Sequence, residues 1–312
     1  MIKVSIICNA YNHGRYIRDA LESFVNQRTN FKYEILVHDD ASTDDTAQVI
    51  KEYENKYPDL IKPIYQTENQ YSQKIGINKT YQYPRVKGEY IAICEGDDYW
   101  TDMDKLQKQY DAMEKHPEID MCAHRAVSVN AETKKKIGEY APADKDTVLS
   151  TSQVILGGGG YVATNSLFFR KRLIEAESEF RKMFAIDYTL QIMGSLAGGI
   201  LYLNDCMSAY RVLSKNSWTS VTYRNPKKYG EHIGKMIKML ETLNEETNGK
   251  YDNEVQEKIL EYHYERAKAY GSKDIFLNKK YRAYLKKETL TKKIKLAGKV
   301  IIFLLKKRNF NG

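Results

Sequence analysis

Ile91-Ala92-Ile93-Cys94-Glu95-Gly96-Asp97-Asp98-Tyr99-Trp100 runs from an apolar strand straight into three carboxylates. Acids clustered at the end of a buried strand repel one another and lose solvation. A bound cation offsets that cost. Hard divalent ions such as Mg2+ and Mn2+ take carboxylate oxygens and then recruit substrate phosphates. One reading is therefore a metal–diphosphate site at Glu95, Asp97 and Asp98. The other is a solvated acidic turn that caps the next helix, since Asp98 and Thr101 are both good N-cap residues.

The residues upstream decide between the two. Val4-Ser5-Ile6-Ile7-Cys8 and Tyr33-Glu34-Ile35-Leu36-Val37 are short apolar runs suited to strands buried on both faces. Between them, Ile17, Ala20, Leu21, Phe24 and Val25 recur at helical spacing. A helix over 45–57, a third strand near 61–66, a helix near 77–83 and the strand 90–94 follow. This β-α-β-α-β-α-β alternation predicts an α/β domain with a mostly parallel sheet flanked by helices. Ligands of open α/β sheets bind at the carboxyl ends of the strands. Three such ends are polar here: Asn9-Ala10-Tyr11-Asn12, Asp39-Asp40-Ala41-Ser42 and Glu95-Gly96-Asp97-Asp98. A solvated turn explains one acidic strand end, but not three on one rim.

The chain has 312 residues, 42% hydrophobic and 29% charged, enough for one large or two ordinary soluble domains. A net charge of +8 favours anionic partners: nucleotides, phosphates or an acidic membrane surface. Cys8, Cys94, Cys122 and Cys206 show no metal-ligand spacing and read as reduced thiols of a cytoplasmic protein. Met1-Ile2-Lys3 leads directly into a strand, without the apolar stretch of a signal peptide. No run is long enough to span a membrane as a helix.

Downstream, a helix is expected up to His116-Pro117, a strand over 120–129 and a charged, irregular excursion over 130–150. Gly157–Gly160 lacks the Lys-Ser/Thr of a phosphate loop and leads into a strand-like run, 161–169. Close backbone approach to a bulky ligand suits these glycines better. Asp187 stands at a helix start, where an N-cap role is the structural alternative. Beyond 222 the strand-like runs vanish, so a second, helical region is expected over 223–312. Leu290, Ile294, Ala297, Ile301, Leu304 and Leu305 line one face of its last helix, with Lys292, Lys295, Lys299 and Lys306 off that face. Such a basic amphipathic segment either lies on an anionic membrane or packs on the preceding helices.

Three segments together resemble the family 2 glycosyltransferases with the GT-A fold: Val4–Asn12, Val37–Asp44 and Gly88–Asp98. The resemblance runs over residues 1–220. It implies a Rossmann-like nucleotide-binding sheet and inverting transfer from a nucleotide-diphosphate sugar, most often a UDP-sugar. Carried over by match, Ala10 and Tyr11 sit beside the base, and Asp39 or Asp40 hydrogen-bonds uracil and ribose. Glu95 takes the first place of the family's Asp-x-Asp, where Asp is commoner. Asp97 holds Mn2+ or Mg2+, with Asp98 beside it. Asp187 falls where the family has its catalytic base, with Ile186 in place of a preceding Glu. Where many members carry a His after Tyr-Arg, this chain has Leu213; Arg211, Lys215 and Trp218 are the substitutes at hand. The implied partners are the sugar nucleotide and a saccharide or lipid-linked saccharide acceptor of bacterial surface-polysaccharide type, entering near 157–166. No nucleic acid is expected. Contact of 289–308 with the inner face of the cell membrane would make the protein peripheral there. Two competing readings are a nucleotidyltransferase and a non-catalytic sugar-nucleotide binder. The first needs a Gly-rich, basic loop after the first strand, which Asn9–Arg15 does not supply. Asp97, Asp98 and Asp187 speak against the second.

Overall fold

The computed structural model describes residues 1–175, 178–180, 187–212, 222 and 225–310, the last nine of them as backbone only. The chain divides into two compact units, Met1–Ser214 and Lys215–Gly312.

The first unit is built on a ten-stranded sheet. Its opening half is β1 (Ile2–Ala10), α1 (Ile17–Val25), β2 (Lys32–Asp39), α2 (Thr46–Lys56), β3 (Ile61–Tyr65) and β4 (Tyr90–Ile93). β1 lies between β2 and β4 and is parallel to both; β2 is parallel to β3. The register places Ala10 opposite Asp39 and Ile7 opposite Ile93. Ala10, Asp39 and the acids after Ile93 therefore emerge on one rim. α1 buries Ile17, Ala20, Leu21 and Phe24, the stripe its spacing predicts. These pack with Val4, Ile6, Cys8, Ile35 and Val37. Each such large side chain adds about 1.5–3 kcal/mol of burial.

Beyond β4 the sheet is mixed. β5 (Tyr99–Trp100), α3 (Lys105–Glu114), β6 (Met121–Asn130), β7 (Lys136–Tyr140), β8 (Thr147–Leu149), α4 (Thr151–Gly157), β9 (Phe168–Arg170), α5 (Arg172–Glu175), α6 (Asp187–Ser195) and β10 (Ile200–Val212) complete the unit. The order is β3-β2-β1-β4-β9-β6-β10-β5, with β7 on β6 and β8 on β10. β6 and β10 run parallel, whereas β9, β5, β7 and β8 pair antiparallel with their neighbours. So the parallel expectation describes the half built from β1 to β4.

Other local expectations are corrected. The stretch 130–150, expected to be irregular, contains β7 and β8, whose exposed charges hide their pairing. The segment near 77–83 is a wide turn of π type, Asn78–Gln82, running into the 3-10 turn Tyr83–Arg85 rather than an ordinary helix. The strand expected over 161–169 is strand only from Phe168, where β9 begins, and a 3-10 turn, Thr164–Ser166, stands before it. α4 precedes it, opened by a capping box in which Ser150 and Gln153 satisfy each other's backbone amides. β10 extends from the expected short strand at 200–203 through Val212.

In the second unit, α7 (Pro226–Glu246), α8 (Asp252–Tyr270), α9 (Asp274–Leu277), α10 (Arg282–Lys287) and α11 (Leu290–Phe310) follow one another. Asn225 caps α7 by accepting the amides of Lys227 and Lys228. Leu296 and Val300 of α11 are buried with Tyr264, Ile275 and Tyr281. The stripe read from the sequence behaves otherwise: Leu290, Ile294 and Ile301 are 74%, 64% and 57% exposed.

Candidate active site

The ends of β1 and β2 are knitted together. The Asp40 amide donates to the Ala10 carbonyl at 2.9 Å. The Asn12 side chain accepts the Thr43 amide at 2.8 Å, and the Ser42 hydroxyl accepts the Asn12 amide at 2.9 Å. Asn12 and Ala41 both hold positive φ, 55° and 60°. Non-glycine residues there are strained, and such strain gathers at functional loops. Tyr11 stands 45% exposed beside the buried Ala10.

Asp39 and Asp40 are both buried but differently engaged. Asp40 accepts the Gln70 amide on one oxygen at 2.8 Å and the Tyr71 amide on the other at 3.0 Å. Asp39 accepts a long bond, 3.4 Å, from the Ser42 amide on Oδ2. Its Oδ1 is buried without a partner among the described residues. Burial pushes the Asp39 carboxyl above the usual carboxylate range, partly opposed by Ser42.

The acidic turn follows the same logic. Gly96 packs so tightly that a Cβ would lie 2.8 Å from Ile17 and 2.9 Å from the His13 ring, so any side chain there would displace one of them. Asp98 is buried, and its two oxygens accept the Arg211 amide at 2.7 Å and the Asn165 side chain at 3.1 Å. Burial, then the neighbouring Asp97 charge, push its carboxyl well up, and the Arg211 bond opposes them. Asp97 keeps 22% of its side chain exposed, with His13 Nε2 at 4.0 Å from its Oδ2. Glu95 accepts a 3.5 Å bond from the Asn9 side chain. Its carboxyl is pushed up to about 8, first by burial, then by the charges of Asp187 and Asp97.

Arg211 does not present a free cation to the rim. Its guanidinium is buried, donates to the Asp97 carbonyl at 2.7 Å, pairs with Asp19 and lies over the Tyr16 and Tyr99 rings. It braces the acidic turn from behind. Ile186, Leu213, Lys215 and Trp218 lie outside the described residues. His13 was read in the sequence only as part of a polar turn. Its place beside Asp97 depends on the close approach of the β1 loop to Gly96, which no local pattern signals.

Asp187 opens α6. The Thr164 hydroxyl donates to its Oδ2 at 2.5 Å. The side chain reaches solvent, yet protein crowds it enough to raise its carboxyl by desolvation, with the Thr164 bond opposing. Tyr210 interacts with the same acids: after burial, the charges of Asp98, Asp97 and Asp187 hold its hydroxyl far above the usual range. Burial also pushes up the thiols of Cys8 and Cys94, which leaves them protonated and poor nucleophiles.

Among the described residues no group of three or more His, Cys, Asp or Glu side chains forms a metal cage. Asp97, with a partly exposed carboxylate, and His13, whose Nε2 lies 4.0 Å from it, still fit a cation shared with a diphosphate. Mg2+ commonly uses one or two protein carboxylates plus substrate phosphates in this way.

Residues 5–176 match the family model described as Glycosyl transferase family 2. The chain is 35% identical over 254 residues to an uncharacterized protein of Mycobacterium tuberculosis, covering 80% of this chain and 70% of that one. Staphylococcus aureus TarS 1–349, solved in complex with UDP-GlcNAc, aligns with a TM-score of 0.60 at 19% identity, covering 94% of this chain and 78% of that one. The mannosyltransferase PcManGT of Pyrobaculum calidifontis, solved with GDP-Man and Mn2+, aligns with a TM-score of 0.51 at 17% identity, covering 98% and 88%.

Proposed function

Because this chain belongs to glycosyl transferase family 2, we propose that it inverts the sugar of a nucleotide-diphosphate donor, a UDP-sugar first, onto a saccharide or lipid-linked saccharide hydroxyl. The observation that carries the reading is a division among the rim carboxylates. Asp40 and Asp98 have both oxygens occupied by protein donors, whereas Asp39, Asp97 and Asp187 each keep an uncommitted oxygen among the described residues. Three open carboxylates suit three tasks. The sugar nucleotides held by the two solved neighbours support the donor class.

In this mechanism Asp39 offers its buried Oδ1 to the imide N–H of uracil. Tyr11 and Ala10 flank the base and give it an apolar face. Asp97, with His13 beside it, would hold Mn2+ or Mg2+ against the diphosphate. The bound ion supplies Lewis-acid stabilisation of the charge left on the β-phosphate. Asp98 aligns Asp97 through its bonds to Asn165 and Arg211 rather than touching the ion. Asp187 takes the proton of the acceptor hydroxyl as that oxygen attacks the anomeric carbon. The bond to the diphosphate breaks on the opposite face, so one carboxylate base suffices for inversion. The reading is tested by UDP release from UDP-sugars with Mn2+. Asp97→Ala is expected to lower it by a factor on the order of 10²–10³; metal-independent release that survives the substitution contradicts it.

We also assign α11 to an anionic membrane surface. Residues 271–312 carry 13 Lys and Arg against 2 Asp and Glu. Leu290, Ile294 and Ile301 project from α11 into solvent, with Lys292, Lys295 and Lys299 exposed nearby. Apolar area and basic charge together give interfacial binding. No helix among the described residues is long and apolar enough to cross a membrane. Surface docking would bring the enzyme to an acceptor carried on lipid.

A further inference from the structure

Thr164 and Asn165 are consecutive residues of one 3-10 turn, and they hold carboxylates from the two halves of the site. The Thr164 hydroxyl donates to Asp187 Oδ2 at 2.5 Å. The Asn165 side chain donates to Asp98 Oδ2 at 3.1 Å and to the Ala209 carbonyl at 3.0 Å, and accepts the Ser208 hydroxyl at 2.7 Å. The Asn165 carbonyl accepts the Trp100 indole N–H at 3.0 Å. The Ser166 carbonyl accepts the Gln109 side chain at 2.9 Å. Asn165 and Ser166 are fully buried, so the turn is anchored on three sides while Thr164 alone stays partly open.

We propose that Thr164 is the positioning residue of the general base, choosing which Asp187 oxygen faces the acceptor, and that Asn165 ties that choice to the acidic turn. The proposal rests on the assignment of Asp187 as base. Its physical content is registration. The base must meet the acceptor hydroxyl while the anomeric carbon is held by a diphosphate bound at Asp97. A misplacement of about 1 Å between two such halves can cost on the order of 10²-fold in rate. At the first residue of α6 the Asp187 side chain keeps rotational freedom that the Thr164 bond removes. With Oδ2 occupied by Thr164, Oδ1 is the oxygen left to take the acceptor proton. The turn that fixes Thr164 also fixes Asp98, next to Asp97 in the chain, so both halves move as one frame. Among the described residues, the titratable groups that interact with the Asp187 charge are Glu95, after β4, and Tyr210, on β10. Among the hydrogen bonds of the described residues, the one on Asp187 Oδ2 comes from Thr164 rather than from either of them.

The test uses the full chain as wild type, Thr164→Val, Thr164→Ala, Thr164→Ser and Asp187→Asn. It reads kcat and donor KM across pH. Losing a hydrogen bond to a charged group raises a carboxyl by about one pH unit. In Thr164→Val, kcat is expected to fall about tenfold and the acidic limb to move up by about one unit, with donor KM unchanged. Thr164→Ala must move the limb the same way, and Thr164→Ser must keep it near the wild-type position. Three results overturn the proposal: an unmoved limb at full rate, a rate loss accompanied by raised donor KM, or no rescue by serine. If Asp187→Asn retains transfer, the base assignment fails and this proposal with it. If Asp187→Asn abolishes transfer while the Thr164 variants leave the limb in place, the proposal alone fails.

Discussion

Asp39 and Asp40 are adjacent in the chain and both buried, yet Asp40 spends both oxygens on the Gln70 and Tyr71 amides while Asp39 leaves Oδ1 without a partner among the described residues. Burial raises the Asp39 carboxyl, so its ionised form opposes folding. An acid raised in the folded state favours the fold at low pH and loses that advantage as pH rises through its folded pKa. Asp39→Asn removes the buried charge. It is expected to leave the melting temperature unchanged or higher while weakening UDP binding roughly tenfold, the worth of one charge-assisted bond. Asp40→Asn is expected to do the reverse, destabilising by about 1–3 kcal/mol with UDP affinity retained. Calorimetric titration with UDP beside thermal unfolding checks both. Equal losses of UDP affinity would remove the distinction drawn between the two acids.

The rim was legible because three strands announce themselves as apolar runs and each ends in polar residues. The fates of the individual acids were not. Asp40 is satisfied by Gln70 and Tyr71, and Asp98 by Asn165 and Arg211. Such partners arrive through tertiary approach, which no spacing encodes. Arg211 looked like a candidate phosphate ligand, and the structure turns it inward against Asp19 and the Asp97 carbonyl. β7 and β8 escaped notice because short strands with exposed charges carry almost no period-2 signal, and β9 begins only at the end of the strand expected over 161–169. The apolar stripe of α11 was visible, but its buried face is Leu296–Val300, four residues apart on another side.

Lys105 opens α3 in a sequence context that suggests solvent, and the structure buries it completely. Its ammonium lies 4.0 Å from the centre of the Trp100 ring and donates to Gln109 at 2.7 Å. Burial lowers it to about 7, against an ordinary value of 10.5. The unfolded chain thus holds more protons than the folded one between those values, so stability rises with pH from about 7 towards 10.5. Lys105→Met is expected to stabilise the protein at pH 7 by an amount on the order of 1 kcal/mol or more and to flatten that rise. Urea unfolding at pH 7 and pH 9 reads both effects. A steeper slope in the variant would refute the assignment.

Membrane docking through α11 is checked without touching its buried face. Ile294 and Ile301 are exposed, so aspartate at both positions leaves the packing of Leu296 and Val300 intact. Co-sedimentation with vesicles containing anionic phospholipid should fall at least tenfold in the double variant, as apolar area is lost and negative charge is added. The wild type should also release from the vesicles at high salt. Equal binding by variant and wild type would leave the exposed stripe without this role.

The central claim is that Asp187 acts on the acceptor from across the acidic turn. The direct measurement is sugar transfer by Asp187→Asn set beside its affinity for the UDP-sugar. With Asp187 as the base, transfer falls by roughly 10²–10⁴-fold while donor affinity stays within about twofold of wild type. Normal turnover with weakened donor binding would contradict the account, because it would place Asp187 in the donor site rather than opposite it.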